Sequence, residues 1–367
     1  MFFFLKMEIK AFGFVTVSVI VLLVLILVWV IGWKLTEGVD MVYSWIDGDN
    51  PIVIEQINYW REKEGGLGSA TTANRFKTMD ELRYSLRSVR LYAPWVRNIY
   101  VITSHHIIPE WFDKEIGARH GIYFVDDSIL LPEVPVFNSL AKESVKHLIP
   151  GLRERYLYMN DDLFFGSSTT LNDFLFKDGK AKMFLEPDKF VSCDKPVNTS
   201  DYFSYGLWCT RNLLLTAIER GVLSLHRPCP EEEKLIRDAY ALMQLKKHAP
   251  DIHFVSEDKL KWQTFPEHFM RTAKGKFRQT DQIYDNTLFD NYWKLARDKA
   301  RPSDISYAYL YIRGNHEIEE FVYEHIKRER PKVFCVNDGI VGEQSKSVAM
   351  LKEFLDEYFP EPAPWEK

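Results

Sequence analysis

From Gly38 to about Phe165 the chain alternates short apolar runs with amphipathic stretches, and this alternation limits the fold more than any other feature. Val39-Asp40-Met41-Val42-Tyr43, Ile99-Tyr100-Val101-Ile102-Thr103, Ile122-Tyr123-Phe124-Val125 and Tyr156-Leu157-Tyr158-Met159 read as buried strands, being short and rich in β-branched and aromatic residues. Between the first two, Thr78 and Glu81 form a capping-box pair, and Met79, Leu82, Leu86 and Val89 mark one apolar helix face. A second helix is predicted over 140–148. Strand and helix in turn predict an α/β fold with a Rossmann-like, mostly parallel sheet covered by helices on both faces. After Phe165 the pattern loosens into helical C-terminal additions, with helices predicted over 205–220, 231–248 and 347–358. The stretch Asp251 to Arg301 has no clean period, and Pro360-Glu361-Pro362-Ala363-Pro364 reads as an extended, exposed tail.

A different signal precedes this region. Ala11 to Trp33 contains no charged residue and, at about 1.5 Å per residue, would span roughly 34 Å as a helix, enough to cross a bilayer. The run exceeds the apolar core of a signal peptide, and Gly32-Trp33-Lys34-Leu35 offers no small-x-small cleavage site. The expectation is therefore an uncleaved signal anchor, with Trp29 and Trp33 in an interfacial belt. Lys6 and Lys10 ahead of the span, against Lys34 behind it, favour a cytosolic N-terminus and a single-pass type II membrane protein.

The formal net charge of -5 gives no reason to expect a nucleic-acid partner. Cys193, Cys209, Cys229 and Cys335 contain no CxxC pair, which argues against a zinc ribbon or a thioredoxin-like site. In an oxidising compartment they allow two disulfides, with three connectivities left open. Asn198-Thr199-Ser200 would be a glycosylation acceptor in a eukaryotic lumen.

In an open parallel sheet, ligands bind beyond the carboxyl ends of the strands. Those ends carry Ser44-Trp45-Ile46-Asp47-Gly48-Asp49, Ser104-His105-His106, Asp126-Asp127 and Asn160-Asp161-Asp162. Paired carboxylates after a strand suit a hard divalent cation held against a diphosphate, although Asx-rich turns are also common without one. Arg83, Arg87 and Arg90 recur at helical spacing, either as a solvated basic stripe or as a guanidinium cradle for a pyrophosphate. Spacing alone does not single out His226, Arg278 or the Cys335-Val336-Asn337-Asp338 segment.

Several segments together resemble one family, the Stealth proteins. Asp40 through Gly48 is similar to their first conserved region. Asp80 through Val89, Ala93 through Tyr100, Pro135 through Ser139 and Tyr158 through Asp162 are similar to the second. His226-x-Pro228 with Phe277-Arg278 resembles the third, and Cys335-Val336-Asn337-Asp338 the fourth. Arg227 and Cys229-Pro230 depart from the pattern, which bears on the acceptor more than on the reaction.

The resemblance covers roughly residues 38–345 and implies a hexose-1-phosphate transferase. Its donor would be a nucleotide sugar such as UDP-N-acetylglucosamine, its acceptor a glycan hydroxyl, its leaving group UMP, and its cofactor Mg²⁺ or Mn²⁺. The domains expected are a cytoplasmic tail over 1–10, a transmembrane anchor over 11–33, a Stealth-type catalytic domain over 38–345, and a C-terminal helix with a Pro-rich tail over 346–367. Asp161, Asp162 and Asp338 are the candidate metal ligands. Arg278, Arg83 and Arg87 would face phosphate, while Asp40, Trp45, Asn160 and Asn337 are further substrate contacts. His226 is the candidate general base and Asp47 its rival. A metal-dependent glycosyltransferase releasing UDP and a catalytically inactive, membrane-tethered glycan-binding protein are the alternatives. Residence would be the Golgi membrane in a eukaryote and the plasma membrane in a bacterium, with homo-oligomerisation left open.

Overall fold

The computed structural model describes residues 38–64, 78–198, 201–223, 243–339 and 345–367. Its strands are β1 (Val39–Ser44), β2 (Val96–Thr103), β3 (Ile122–Asp126), β4 (Arg155–Asn160), β5 (Leu163–Phe165), β6 (Ala181–Phe190), β7 (Gln244–Lys246), β8 (Asp251–Phe254), β9 (Ala300–Ser303), β10 (Tyr307–Ile312) and β11 (Val333–Asp338). The helices are α1 (Pro51–Glu64), α2 (Glu81–Tyr92), α3 (Lys114–Arg119), α4 (Ser139–Val145), α5 (Tyr202–Glu219), α6 (Val255–Thr264), α7 (Pro266–Lys274), α8 (Asp290–Ala296), α9 (His316–Glu329) and α10 (Ser345–Tyr358).

The four strands expected from the sequence, joined by β8, form one five-stranded sheet in the order β3-β2-β1-β4-β8. β1 pairs in parallel with β2 and β4, and β2 with β3, whereas β8 closes the edge antiparallel to β4. β1 is central and buried along its whole length, which is why it reads as a nearly continuous apolar run. Its alternate residues serve opposite faces. Met41 and Tyr43 pack with Leu82 and Leu86 of α2, while Val42 joins Ala141 and Val145 of α4 on the other side. Full burial of such side chains contributes about 1.5–3 kcal/mol each.

α2 starts later than its capping box predicts. Asp80 takes a left-handed conformation at φ 63 and precedes the first turn, and the Glu81 carboxylate accepts from the Met79 amide at 2.6 Å. The carboxylate thereby turns inward and is buried rather than solvated.

The single mostly parallel sheet with helical additions is corrected by two further sheets. β5 joins β10 and β11, and β6 lies between β7 and β9. The β-branched and aromatic runs Tyr307–Ile312 and Val333–Asp338 supply two of these strands, and their strand character was missed because helical patterns flank them. The tail expected to be exposed is also corrected. Ala363 and Trp365 are buried, and the Asp113 amide donates to the Trp365 carbonyl at 2.7 Å.

No helix among the described residues is long and apolar enough to cross a membrane. That finding corrects the single transmembrane helix, the signal-anchor assignment and the type II localisation in Golgi or plasma membrane. The 11–33 segment itself lies outside the described residues. Most of the helix predicted over 231–248 also lies outside them, and its last part forms β7 instead.

Candidate functional site

The carboxyl ends of β1, β2, β3 and β4 meet over α4. Ser104, after β2, donates to Asp127 Oδ2 at 2.6 Å and accepts from Lys142 Nζ at 2.8 Å. The same ammonium donates to the Trp45 carbonyl at 3.1 Å and lies 3.5 Å from Asp127. Lys142 is thus a buried cation that ties together the exits of three strands. Burial lowers its pKa, and Asp127 acts in the opposite direction.

β4 ends at the partly buried Asn160, and Asp161 and Asp162 form the turn into β5. Burial raises the Asp161 carboxyl to about 6. Burial first, and the charge of Asp161 second, raise Asp162 to about 7. Glu81 is pushed to about 8 by burial and then by Asp161 and Asp162. Asp162 Oδ1 is buried without a hydrogen-bond partner, whereas Oδ2 accepts from Cys335 Sγ at 3.4 Å. The negative charge of Asp161, felt by both Glu81 and Asp162, and the orphaned oxygen make the turn a place that a cation would relieve.

A cationic wall comes from another part of the chain. Arg278 Nη2 donates to Ser139 Oγ at 2.6 Å, and its Nε is buried without a partner. The loop bearing it is clamped against α4. Asn138 Nδ2 reaches the Gly275 carbonyl at 3.2 Å and Gln282 Oε1 at 2.9 Å, and Phe137 stacks on Phe277 at 5.4 Å. Gly275 is required there, because a Cβ would lie 1.9 Å from Gln282 Nε2. Glu143, beside Lys142 on α4, is buried with Oε2 unpartnered. Glu143, Asp161 and Arg278 all act on the buried Tyr158 hydroxyl, which Ser44 also approaches.

The structure therefore brings Asn160, Asp161, Asp162 and Arg278 to one edge and adds Glu81, Lys142 and Glu143, which the sequence reading missed. Asp47 lies on the same edge, partly buried. Its carboxyl is raised by burial first, with Asp49 and Asp80 adding repulsion against amide hydrogen bonds from Asp49 and Asn50. Asn337 and Asp338 lie at the end of β11, two and three residues beyond Cys335, and are partly exposed. His226 lies outside the described residues.

Four expected substrate contacts are engaged elsewhere. Asp40 is fully buried near the start of β1, at the opposite end from the acidic turn. It takes Arg97 Nε at 2.8 Å and Nη2 at 2.7 Å, together with the Arg153 amide at 2.9 Å. Trp45 is buried edge-on against Phe124, with ring centroids 6.1 Å apart, so no indole face is open for a sugar. Arg83 and Arg87 hold the Glu366 carboxylate at 2.5 and 2.6 Å, and Arg87 also reaches the Phe359 carbonyl at 2.6 Å. Their charge is spent on fastening the C-terminal segment rather than on a phosphate.

Asp251, His253 and Asp290 form a second group with ligand atoms within 4.8 Å of one another. Lys246 is 2.7 Å from Asp251, Lys294 is 2.6 Å from Asp290, and Lys261 is 2.9 Å from Asp290. Burial alone would raise these carboxyls, but the lysines and His253 hold Asp251 and Asp290 well below their ordinary range. A metal ion there would face three ammonium groups, so the arrangement fits an ion-pair core and not a metal centre. Among the described cysteines, Cys193, Cys209 and Cys335 are unpaired, and Cys229 lies outside the described residues.

Residues 75–183 match Stealth protein CR2, conserved region 2, and residues 324–367 match Stealth protein CR4, conserved region 4. Two conserved regions of the Stealth proteins are thus present in this chain. It is 30% identical over 342 residues to an exopolysaccharide phosphotransferase of Streptomyces coelicolor, covering 91% of this chain and 52% of that protein. It is also 30% identical to exopolysaccharide phosphotransferase CpsY of Mycobacterium tuberculosis, over 90% of this chain and 58% of that one. The chain thus spans a little over half the length of these curated relatives. Among solved structures, the galactosyltransferase LgtC aligns over 88% of this chain and 95% of its own, at a TM-score of 0.40 and 10% identity.

Proposed function

We propose that the chain is a sugar-phosphate transferase, moving a hexose-1-phosphate from a nucleotide sugar onto a glycan hydroxyl. The donor in this reading is UDP-N-acetylglucosamine and the leaving group UMP. The observation that carries it is the buried acidic turn Asp161–Asp162 with its orphaned Asp162 Oδ1, together with the unpartnered Nε of Arg278, whose Nη2 is held by Ser139. The named activity of the exopolysaccharide phosphotransferases supports it.

Such transfer breaks the phosphoanhydride bond, and the sugar arrives still attached to its phosphate. It needs in-line positioning and charge neutralisation more than covalent help. Asp161 and Asp162, with Asp338 as a further candidate, would hold Mg²⁺ or Mn²⁺. When bound, that ion supplies positive charge to the diphosphate oxygens. Arg278 donates from Nε to a phosphate oxygen while Ser139 holds its Nη2. Asn160 and Asn337 supply neutral polar contacts to the donor. His226 takes the proton of the acceptor hydroxyl, with Asp47 and the buried Glu143 as the competing bases.

The test incubates the full chain with Mg²⁺, UDP-N-acetylglucosamine labelled on the β-phosphate, and a glycan acceptor. UMP release with label in the glycan is the expected result. UDP release with an unlabelled product would make the chain a glycosyltransferase instead, and no nucleotide release would leave a glycan-binding protein.

A further inference from the structure

Three side chains from distant parts of the sequence converge on one side of the acidic turn. Asp162, His248 and Cys335 each offer one ligand atom, and those atoms all lie within 4.8 Å of one another. Cys335 Sγ already lies 3.4 Å from Asp162 Oδ2. The frame around them is stiff. The Asp162 carbonyl accepts from the Val336 amide at 3.0 Å, which pins the turn to β11. Cys335 is fully buried, in register with Leu163 on one side and Tyr309 on the other, and Tyr309 packs against the His248 ring at 5.2 Å. Asp162 Oδ1 remains buried without a partner.

One carboxylate oxygen, one imidazole nitrogen and one thiol sulfur are not a magnesium set. Hard cations select oxygen, whereas zinc, cadmium and cobalt(II) take nitrogen and sulfur. A tetrahedral zinc centre with bonds of about 2.0–2.3 Å sets its ligands roughly 3.3–3.8 Å apart, so ligand atoms within 4.8 Å of one another need to close by at most about 1.5 Å. Asp161 lies beside the trio, and its negative charge acts on Asp162. Lys189 and Lys246 approach His248 from the other direction, but Lys246 is already paired with Asp251 at 2.7 Å.

We propose that Asp162, His248 and Cys335 form a binding site for a zinc-class divalent cation, with a fourth position left for water or an incoming ligand. On binding, the Cys335 thiol gives up its proton to solvent, and a metal–thiolate bond forms with no change in redox state. The site shares Asp162 with the oxygen pair of the proposed reaction. A zinc-class ion seated there withdraws that carboxylate and antagonises any hard cation on the turn. The binding itself does not depend on the proposed reaction.

Cobalt(II) is the probe, titrated into the full chain. The expected result is an intense thiolate-to-cobalt charge-transfer band in the near ultraviolet, saturating at one ion per chain and erased by zinc. C335S should lose that band, and H248Q should weaken cobalt binding at least about tenfold. The partly exposed His248 keeps the test decisive if C335S does not fold. Absence of the band in folded protein overturns the proposal, as does its persistence in C335S or an unchanged affinity in H248Q.

Discussion

The Arg87 guanidinium grips the Glu366 carboxylate with Nε and Nη2, each at 2.6 Å, and its third nitrogen holds the Phe359 carbonyl. The helix that carries Arg87 is the one whose basic residues look, in sequence, like a phosphate cradle. Glu366→Gln leaves a mostly buried guanidinium without its counter-charge, so it should cost about 3 kcal/mol in denaturant unfolding. Nucleotide-sugar affinity, measured by calorimetry below the melting range, should stay unchanged. A selective loss of donor affinity at full stability would return Arg83 and Arg87 to the binding site.

Lys261 bridges Asp258 at 2.7 Å, Asp285 at 2.7 Å and Asp290 at 2.9 Å, with no side chain of the group open to solvent. Lys261→Met should lose about 3–5 kcal/mol in urea melts, because it strands buried carboxylates. Added zinc or magnesium should not restore the loss, as Lys246 and Lys294 still occupy Asp251 and Asp290.

Burial pushes His147 down to about 4. The unfolded chain, with an ordinary imidazole, binds more protons between about pH 6.5 and 4, so this residue's contribution to stability is lost as pH falls through that window. The loss is at most about 3 kcal/mol by pH 4. The raised carboxyls of Asp161, Asp162 and Glu81 work the opposite way, stabilising the fold as pH falls. The readout is therefore the difference between the wild type and His147→Phe, which should widen in favour of the variant from pH 7 to pH 5. A constant difference would remove His147 from the account.

Mg²⁺ or Mn²⁺ at 100 times its dissociation constant should stabilise the protein by about 2.7 kcal/mol and raise Tm by several degrees. D161N/D162N should be more thermostable than wild type without metal, since it removes two crowded charges, and should gain nothing from added metal. Equal metal shifts in both proteins would place the ion elsewhere.

His226→Gln should abolish turnover while leaving nucleotide-sugar binding within about twofold, the behaviour of a base that acts only in the transition state. Weakened donor binding at retained turnover would assign the proton to Asp47 or Glu143.

The parallel half of the main sheet was legible because β1 to β4 are short runs of Val, Ile and aromatic residues, and a strand buried on both faces needs little else. The acidic turn was legible for the same reason, as Asn160-Asp161-Asp162 follows directly on such a run. Glu81 was not. A carboxylate three residues after Thr78 reads as a cap, and only the left-handed Asp80 turns it inward. Lys142 and Glu143 were hidden because α4 is buried on every side from Leu140 to Val145, so it has no periodicity to read. The arginine stripe misled for a different reason: its partner, Glu366, lies 279 residues away and leaves no local trace.

Only Asp161 and Asp162 separate β4, in the parallel sheet, from β5, in the sheet it shares with β10 and β11. The acidic pair is therefore a rivet through two plates. It cannot drift unless one sheet slides against the other, and a repacking anywhere in either sheet reaches it as a displacement. Core substitutions remote from the turn, at Phe164 or Val333 for example, should consequently register as lost cation affinity before they register as lost folding.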